Sequence, residues 1–467
     1  MGSTIEELTG WNMDIDGKHI VVVGLARSGM AVARFLKAKG ARVTLTDKAT
    51  EEILGAFAVE ARQLGVELEL GRHRPTTFQQ ADLIVISPGV PHTITPLQEA
   101  RSNGVQVIGE VELAARFIDT PIVAVSGTNG KTTTTELLGN MLAASGLKVF
   151  VGGNIGNPLI EIADRNADLD VIVAEISSFQ LDTIDTFRPH VAVMLNISPD
   201  HLDRYPDLSA YAASKGRLFE NQHSSDFAVC NANDKLVMAQ CKAIKSTVLN
   251  FCAEPPDKPH PGQGAIITPK QVVICVPEMV KGCIDIENTP LIGPHNRENI
   301  AAASLAALAA GATVEGVQKA IDAFQSMPHR LEPVGAVNDV TFVNDSKATN
   351  VDAVMRALEC FSRPVVLIMG GRNKGYDFRS LHQHVHKHVK KLVVIGEAGD
   401  EIIEALGGAP KQGCAKAVDM AQAVQMAYDT ARAGETVLLS PACASFDMFG
   451  SYAERGDQFR RMVEALT

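Results

Sequence analysis

Short apolar runs alternate with helix-length segments along almost the whole chain, the pattern of an α/β fold built on parallel sheets. The first block has its runs at 19–23, 42–46 and 83–87 and closes near Gly109. A second opens at 122–125 and continues through 170–174, 191–195 and 227–230. A Pro- and Gly-rich loop, AEPPDKPHPGQG at 253–264, then leads to a β-prone patch at 265–276 and an Ala-rich helix from about Asn296 to Ala310. The third block begins near MPHRLEP and carries runs at 340–343, 365–369, 391–395 and 436–440. No short-period repeat or long low-complexity tract interrupts the series. Three successive α/β domains are expected, at 1–109, 110–326 and 327–467.

Bulk properties narrow the class. At 467 residues the chain is too long for one core, in keeping with several domains. It is 46% hydrophobic and 21% charged, the make-up of a soluble globular protein. No apolar stretch approaches the ~20 residues of a membrane helix. The polar, acidic N-terminus lacks the basic and apolar regions of a secretory signal, and Glu6 stands where myristoylation at Gly2 requires Ser or Thr. Eight cysteines, at 230, 241, 252, 275, 283, 360, 414 and 443, are scattered without a CxxC pair. They point to a reducing cytoplasm rather than to disulfides or a zinc site. A net charge of −11 weighs against general nucleic-acid binding. Anionic small substrates stay open, because a few Lys, Arg and backbone N–H groups suffice for them.

The strongest chemical signal is IVAVSGTNGKTTTTELL at 122–138. A strand feeds Gly127, Thr128, Asn129 and Gly130, and a helix starts at Lys131, Thr132 and Thr133. The glycines let backbone N–H groups turn toward phosphate oxygens at the positive end of that helix. Lys131 can reach the outer phosphates of a nucleotide and the Thr132 hydroxyl can ligate Mg²⁺. Val125 stands where the strict P-loop pattern has Gly, so the loop is a shortened variant in a central domain of the P-loop NTPase type. Glu175 ends the run DVIVA, where a carboxylate emerges at the sheet edge to hold a metal. His201, on the loop NISPDHLDRY, is either a second metal ligand or a solvated side chain. Spacing does not separate Lys215 from a surface lysine.

The flanking blocks carry weaker signals. Gly24-Leu25-Ala26-Arg27-Ser28-Gly29 nearly fits GxGxxG, with Ala at the middle glycine, and Asp47 ends the next run. A nucleoside-diphosphate site and a plain Rossmann-like turn both fit, and Ser87-Pro88-Gly89 falls at the same expected edge. In the third block, NDSKATN, GGRNKGYDF and SPACASFDMF each follow an apolar run. Lys347, Lys374, Ser445 and Thr349 could gather there around a carboxylate ligand, in a second Rossmann-like domain. His382, His384, His386 and His388 flank an apolar stripe of Leu381, Val385 and Val389, the pattern of a helix rather than a metal site.

GTNGKTT, AEISSFQL, DHLDRY, GPHNREN, MPHRLE and NDSKATN, in this order over essentially the whole chain, resemble the Mur ligase family. Its members are ATP-dependent amino-acid ligases of peptidoglycan precursor synthesis. SPACASFDMF and YAERGDQF look most like those members that add D-glutamate to UDP-N-acetylmuramoyl-L-alanine. The resemblance implies ATP held by the phosphate loop with Asn296, Asn299, Arg330 and Asp345. It implies two Mg²⁺ ions, one on Thr132 and Glu175 and one on His201 and a carbamylated Lys215. The UDP-substrate would meet Gly24, Arg27, Ser28, Asp47, Ser87, Gly89, Asn154 and His201. D-glutamate would meet Lys347, Thr349, Lys374, Ser445, Phe446 and Tyr452. Activation of a carboxylate as an acyl phosphate, closure of the third domain over the second, a cytoplasmic location and a monomer are expected with it.

Three rivals are weighed against this. A folylpolyglutamate-like or another Mur-type ligase shares the central logic, but the folylpolyglutamate type lacks the first block. A nicotinamide-dependent oxidoreductase would use the GLARSG turn, yet no hydride-transfer site is evident. A nucleotide-gated binding module would release phosphate without needing both substrates.

Overall fold

A strand covered on both faces must be apolar along its whole length. HIVVV at His19–Val23, IVAVS at Ile122–Ser126 and VVLIMG at Val365–Gly370 are buried at every residue. Each is an inner strand of one of three sheets in the computed structural model, which describes residues 13–253, 263–276 and 280–466. The N-terminal features at Gly2 and Glu6, and nearly all of the loop at 253–264, lie outside the described residues. Among the described residues no helix is long and apolar enough to cross a membrane.

By its contacts the chain divides into two compact units. One runs to Ile197 and takes in Ser209–Asp285 and Ile300–Ile321; the other is Ser198–Leu208, Ile286–Asn299 and the residues from Asp322 onward.

The first unit holds two sheets. Five parallel strands lie in the order Glu67–Leu70, Arg42–Asp47, His19–Val23, Leu83–Ile86 and Gln106–Gly109. Chain order reverses between His19–Val23 and Leu83–Ile86, the switch point at which doubly wound sheets open a crevice for ligands. The second sheet has nine strands. Ile122–Ser126 sits between Val171–Glu175 and Val191–Met194, parallel to both, with Val125 opposite Glu175 and Ser126 opposite Met194. The β-prone patch at 265–276 forms two antiparallel strands, Gly264–Ile267 and Gln271–Val276. Thr268 closes the turn, its backbone N–H and hydroxyl both donating to the Gln271 carbonyl, at 2.8 and 2.9 Å. Two buried carboxylates open the helix Glu110–Ala115. Burial pushes the Glu110 carboxyl up to about 7, although it accepts the Ile160 N–H at 2.8 Å. Burial also raises Glu112, but hydrogen bonds from Thr186, Asp185 and Arg116 outweigh it and hold that carboxyl below its ordinary value.

The second unit carries a six-stranded sheet. Glu332–Val337 pairs antiparallel with Val340–Asn344; Thr436–Leu439, Val365–Gly370, Val389–Ile395 and Cys414–Lys416 follow in parallel. Leu367, Leu392 and Leu438 face a core of Val354, Leu358 and Phe378, and Val366, Val393 and Val437 face Met420, Val424 and Phe459. The helix His382–His388 forms where the apolar stripe predicts it, with Leu381, Val385 and Val389 buried.

Candidate functional site

The phosphate loop is shaped by what surrounds it. Gly127 has φ +150°, and a Cβ there would lie 3.0 Å from Leu195 Cβ and 3.3 Å from the Asn196 nitrogen. Gly130 caps the helix Lys131–Ala144 in the left-handed conformation, which brings Thr132 and Thr133 into its first turn. Asn196 clamps the loop. Its carbonyl accepts the Thr128 N–H at 2.9 Å, its Oδ1 accepts the Asn129 N–H at 2.8 Å, and its Nδ2 donates to the Asn129 carbonyl at 3.0 Å. Asn196 is a residue of NISPD to which the sequence reading gives no role; only its place beside the loop reveals one.

Two ammonium groups converge on one carbonyl. Lys131 Nζ donates to the Gly127 and Thr128 carbonyls, both at 2.9 Å, and Lys215 Nζ donates to the Gly127 carbonyl at 2.7 Å. Lys215 is 1% exposed, on the helix Leu208–Gly216, with Nζ 4.8 Å from the centre of the Tyr211 ring. It is therefore no surface lysine. Glu175 is the last residue of its strand; Oε1 accepts the Asn154 Nδ2 at 2.7 Å and buried Oε2 has no hydrogen-bond partner among the described residues. A buried carboxylate oxygen without a donor suits a cation. Glu175 and the Thr132 hydroxyl are hard oxygen donors, the type Mg²⁺ takes one or two at a time while keeping its waters. Accordingly, the absence of any cluster of three or more His, Cys, Asp or Glu ligands among the described residues does not conflict with Mg²⁺. AEISSFQL reads as this strand followed by a capping box, in which Ser177 and Gln180 bond reciprocally to open the helix Ser178–Leu181.

A cavity of about 550 Å³ opens at the switch point of the five-stranded sheet. Gly24, Arg27, Ser28, Asp47, Ser87, Gly89 and Asn154, all named from sequence, line it. Gly24 has φ +99°, and a Cβ there would meet Val90 Cγ2 at 2.9 Å. The Ser87 hydroxyl donates to the Gly24 carbonyl at 3.0 Å, which ties the two strand ends together. Asp47 accepts the Leu25 N–H at 2.7 Å and the Ala49 N–H at 2.8 Å, and Arg27 pairs with Asn157.

In the second unit NDSKATN, SPACASFDMF and GGRNKGYDF leave three neighbouring parallel strands at one edge. Asp345 is buried and accepts from the Ser440 hydroxyl at 2.9 Å and from the Leu331 N–H at 3.2 Å. Burial pushes its carboxyl up to about 7, with Ser440, Leu331 and the Arg330 charge pulling down. Lys347 Nζ sits 3.8 Å from the centre of the Tyr452 ring. Ser445 is buried and Phe446 is 67% exposed; Thr349 and Lys374 are half-buried on their loops. Asn296 and Asn299 are buried and bond to each other at 3.1 Å. His201 has φ +56°, its N–H donating to Asp200 Oδ1 at 2.9 Å, and Asp200 also accepts from Tyr376 and from Asn350.

One cation stitches the three loops together. Arg455, on the helix Tyr452–Glu464, is 0% exposed. Its Nε donates to the Ser346 hydroxyl at 2.9 Å, Nη2 to the Ser346 carbonyl at 2.8 Å, and Nη1 to the Cys443 carbonyl at 3.1 Å and the Gly370 carbonyl at 3.5 Å. The sequence reading includes it in YAERGDQF but gives it no role of its own.

Comparison with known proteins agrees with this architecture. The Mur ligase middle domain matches residues 125–307, the MurD-like N-terminal domain of Mur ligases matches 18–109, and the Mur ligase glutamate ligase domain matches 329–443. A relative from Desulfosudis oleivorans, named UDP-N-acetylmuramoylalanine--D-glutamate ligase, is 51% identical over 97% of this chain and 98% of its own. One of the same name from Desulfatibacillum aliphaticivorans is 52% identical over 97% of this chain and 100% of its own. Among solved structures, a pseudomurein peptide ligase type C from Methanothermus fervidus aligns with a TM-score of 0.61 at 21% identity, over 96% of this chain and 100% of that one. The UDP-N-acetylmuramate-alanine ligase of Thermotoga maritima aligns at 0.58 and 17%, over 96% and 100%. These structures share the three-domain α/β fold expected from sequence.

Proposed function

The chain belongs to the Mur ligase family, and from that premise we propose that it joins D-glutamate to UDP-N-acetylmuramoyl-L-alanine with ATP, in peptidoglycan precursor synthesis. The observation that carries the reading is full-length identity above one half to relatives of that named activity. The phosphate loop supports it: the strand that feeds it sets Val125 opposite the buried Glu175, and the helix it opens begins at Lys131.

A carboxylate resists attack by an amine, so one of its oxygens must first become a leaving group. The muramoyl-alanine carboxylate attacks the γ-phosphorus of ATP and ADP leaves, which gives an acyl phosphate. The D-glutamate amine then attacks the carbonyl carbon; the tetrahedral species collapses, phosphate departs and the amine loses a proton. Lys131 and the N–H groups of 127–133 would orient the outer phosphates and stabilise charge on them. Mg²⁺, held by Thr132 and Glu175, would supply further screening of phosphate oxygens. Lys215 is proposed to carry a carbamate serving a second Mg²⁺, and His201 to be a ligand of that ion. Asn296, Asn299, Arg330 and Asp345 are proposed for the nucleoside end of ATP. The residues lining the switch-point cavity are proposed for the UDP group, with His201 among its contacts. Lys347, Thr349, Lys374, Ser445, Phe446 and Tyr452 are proposed for D-glutamate.

We further infer domain bounds at 109/110 and 326/327, supported by the first sheet closing at Gly109 and the third opening at Glu332. A cytoplasmic monomer is proposed, with the eight free cysteines supporting the location. A folylpolyglutamate-like activity is disfavoured by the N-terminal sheet and its MurD-like match.

Phosphate release tests the reading. It should require UDP-N-acetylmuramoyl-L-alanine together with D-glutamate, and a panel of amino acids of both hands should leave D-glutamate alone at the top. Equal release without an amino acid would mean an ATPase, and a preference for another amino acid would mean a different ligase of the family.

A further inference from the structure

His73 lines the switch-point cavity but belongs to none of the motifs. It follows the strand Glu67–Leu70, which lies outside Arg42–Asp47, which in turn flanks His19–Val23. Strands stand about 4.8 Å apart, so three successive strand ends pave this side of the crevice over roughly 10 Å. The Gly24 turn comes first, then Asp47, then His73. In a doubly wound nucleotide site the diphosphate takes the turn and the ribose takes the acid ending the next strand. The base is left to the strand beyond.

The ring is held in place. Nδ1 meets the Thr46 hydroxyl at 2.9 Å, and the ring packs edge-on against Phe78 with centroids 5.7 Å apart. Thr46 and Phe78 are both fully buried, so this anchor is rigid. Nε2 is the nitrogen left for a ligand. Burial holds His73 below its ordinary pKa, Asp47 and Glu69 pulling the other way and Lys48 adding to the fall. Burial thus favours the neutral imidazole, which offers either one N–H or one lone pair, according to how the Thr46 proton turns. Asp47 meanwhile has each oxygen already accepting a backbone N–H.

We propose that His73 is a specificity-determining residue of this cavity, its Nε2 meeting the polar edge of a pyrimidine base. The inference rests on the reading of the cavity as the seat of a uridine diphosphate group. Uracil and cytosine exchange donors and acceptors along that edge, so whichever tautomer the Thr46 hydroxyl selects, Nε2 meets the two bases differently. Purines, with a second ring, would extend past the same anchor.

Calorimetric titration of the full chain with UDP, CDP and ADP tests this. The wild type should prefer UDP to CDP. In His73→Ala, UDP affinity should fall about ten-fold, the worth of one hydrogen bond, and the UDP-over-CDP preference should collapse, with ADP binding unchanged. His73→Phe keeps the packing on Phe78 while removing both nitrogens, and should show the same collapse at an unchanged melting temperature. If both variants retain the wild-type preference, His73 does not read the base. If the wild type itself binds no UDP, the reading of the cavity falls, a result separable from the first.

Discussion

Replacing Arg455 by Met tests how the three loops of the second unit are held. Burial lowers the guanidinium pKa to about 10, so it stays charged at neutral pH. The shift from 12.5 corresponds to a burial cost of about 3 kcal/mol, which Met would relieve. Against that, the Ser346 hydroxyl and the Ser346 and Cys443 carbonyls each lose a donor. A buried acceptor left without a donor costs ~1–3 kcal/mol, hence roughly 3–9 kcal/mol for three. The net expectation is a destabilisation centred on about 3 kcal/mol, since Met fills the volume but cannot donate. Because the chain has two compact units, a single melting curve is ambiguous. Hydrogen exchange read peptide by peptide resolves it. Peptides spanning 340–350, 365–376 and 440–449 should exchange about a hundred-fold faster, while those of 122–138 keep wild-type rates. A change below about 0.5 kcal/mol in the loop peptides would refute the argument that Arg455 holds them.

Three further outcomes are expected. Lys131→Ala should abolish phosphate release and leave the circular dichroism spectrum that of the folded chain; undiminished turnover would remove the lysine from the chemistry. Lys215→Ala should be strongly impaired and partly rescued by short carboxylates such as formate, whereas full activity would dispose of the carbamate. Glu110 has its carboxyl raised from 4.5 to about 7 by burial, so the fold binds that proton more tightly than the unfolded chain does. Stability should therefore fall between those two pH values as pH rises, by about 3 kcal/mol, and level off above. Glu110→Gln should remove that slope from the first unit's unfolding, and a variant as pH-sensitive as the wild type would contradict it.

Inner strands were legible because burial on both faces writes itself as unbroken apolar sequence, as at His19–Val23 and Val365–Gly370. Glu67–Leu70 escaped because an edge strand with one covered face tolerates ELEL. The phosphate loop was legible because its backbone geometry requires glycine at set positions. Lys215 was not, since its burial depends on a strand some 90 residues away, 88 positions separating it from Gly127. Asn196 and Arg455 escaped for the same reason. Each acts through long-range backbone partners, and a polar residue in a loop or on a helix carries no local mark of whom it will bond.

The lysine of the phosphate loop has a further consequence. Lys131 is not idle in this structure, because the Gly127 and Thr128 carbonyls both hold its ammonium at 2.9 Å. A ligand that recruits Lys131 must break both bonds, each worth ~1.5 kcal/mol or more for a charged donor. That sets a threshold of about 3 kcal/mol, a factor above a hundred in affinity, before any anion gains from the lysine. Free phosphate and nucleoside monophosphates, with few contacts to offer, fall short of it. A triphosphate that met several of the loop's N–H groups at once would clear it, so the loop's own carbonyls would filter what it retains.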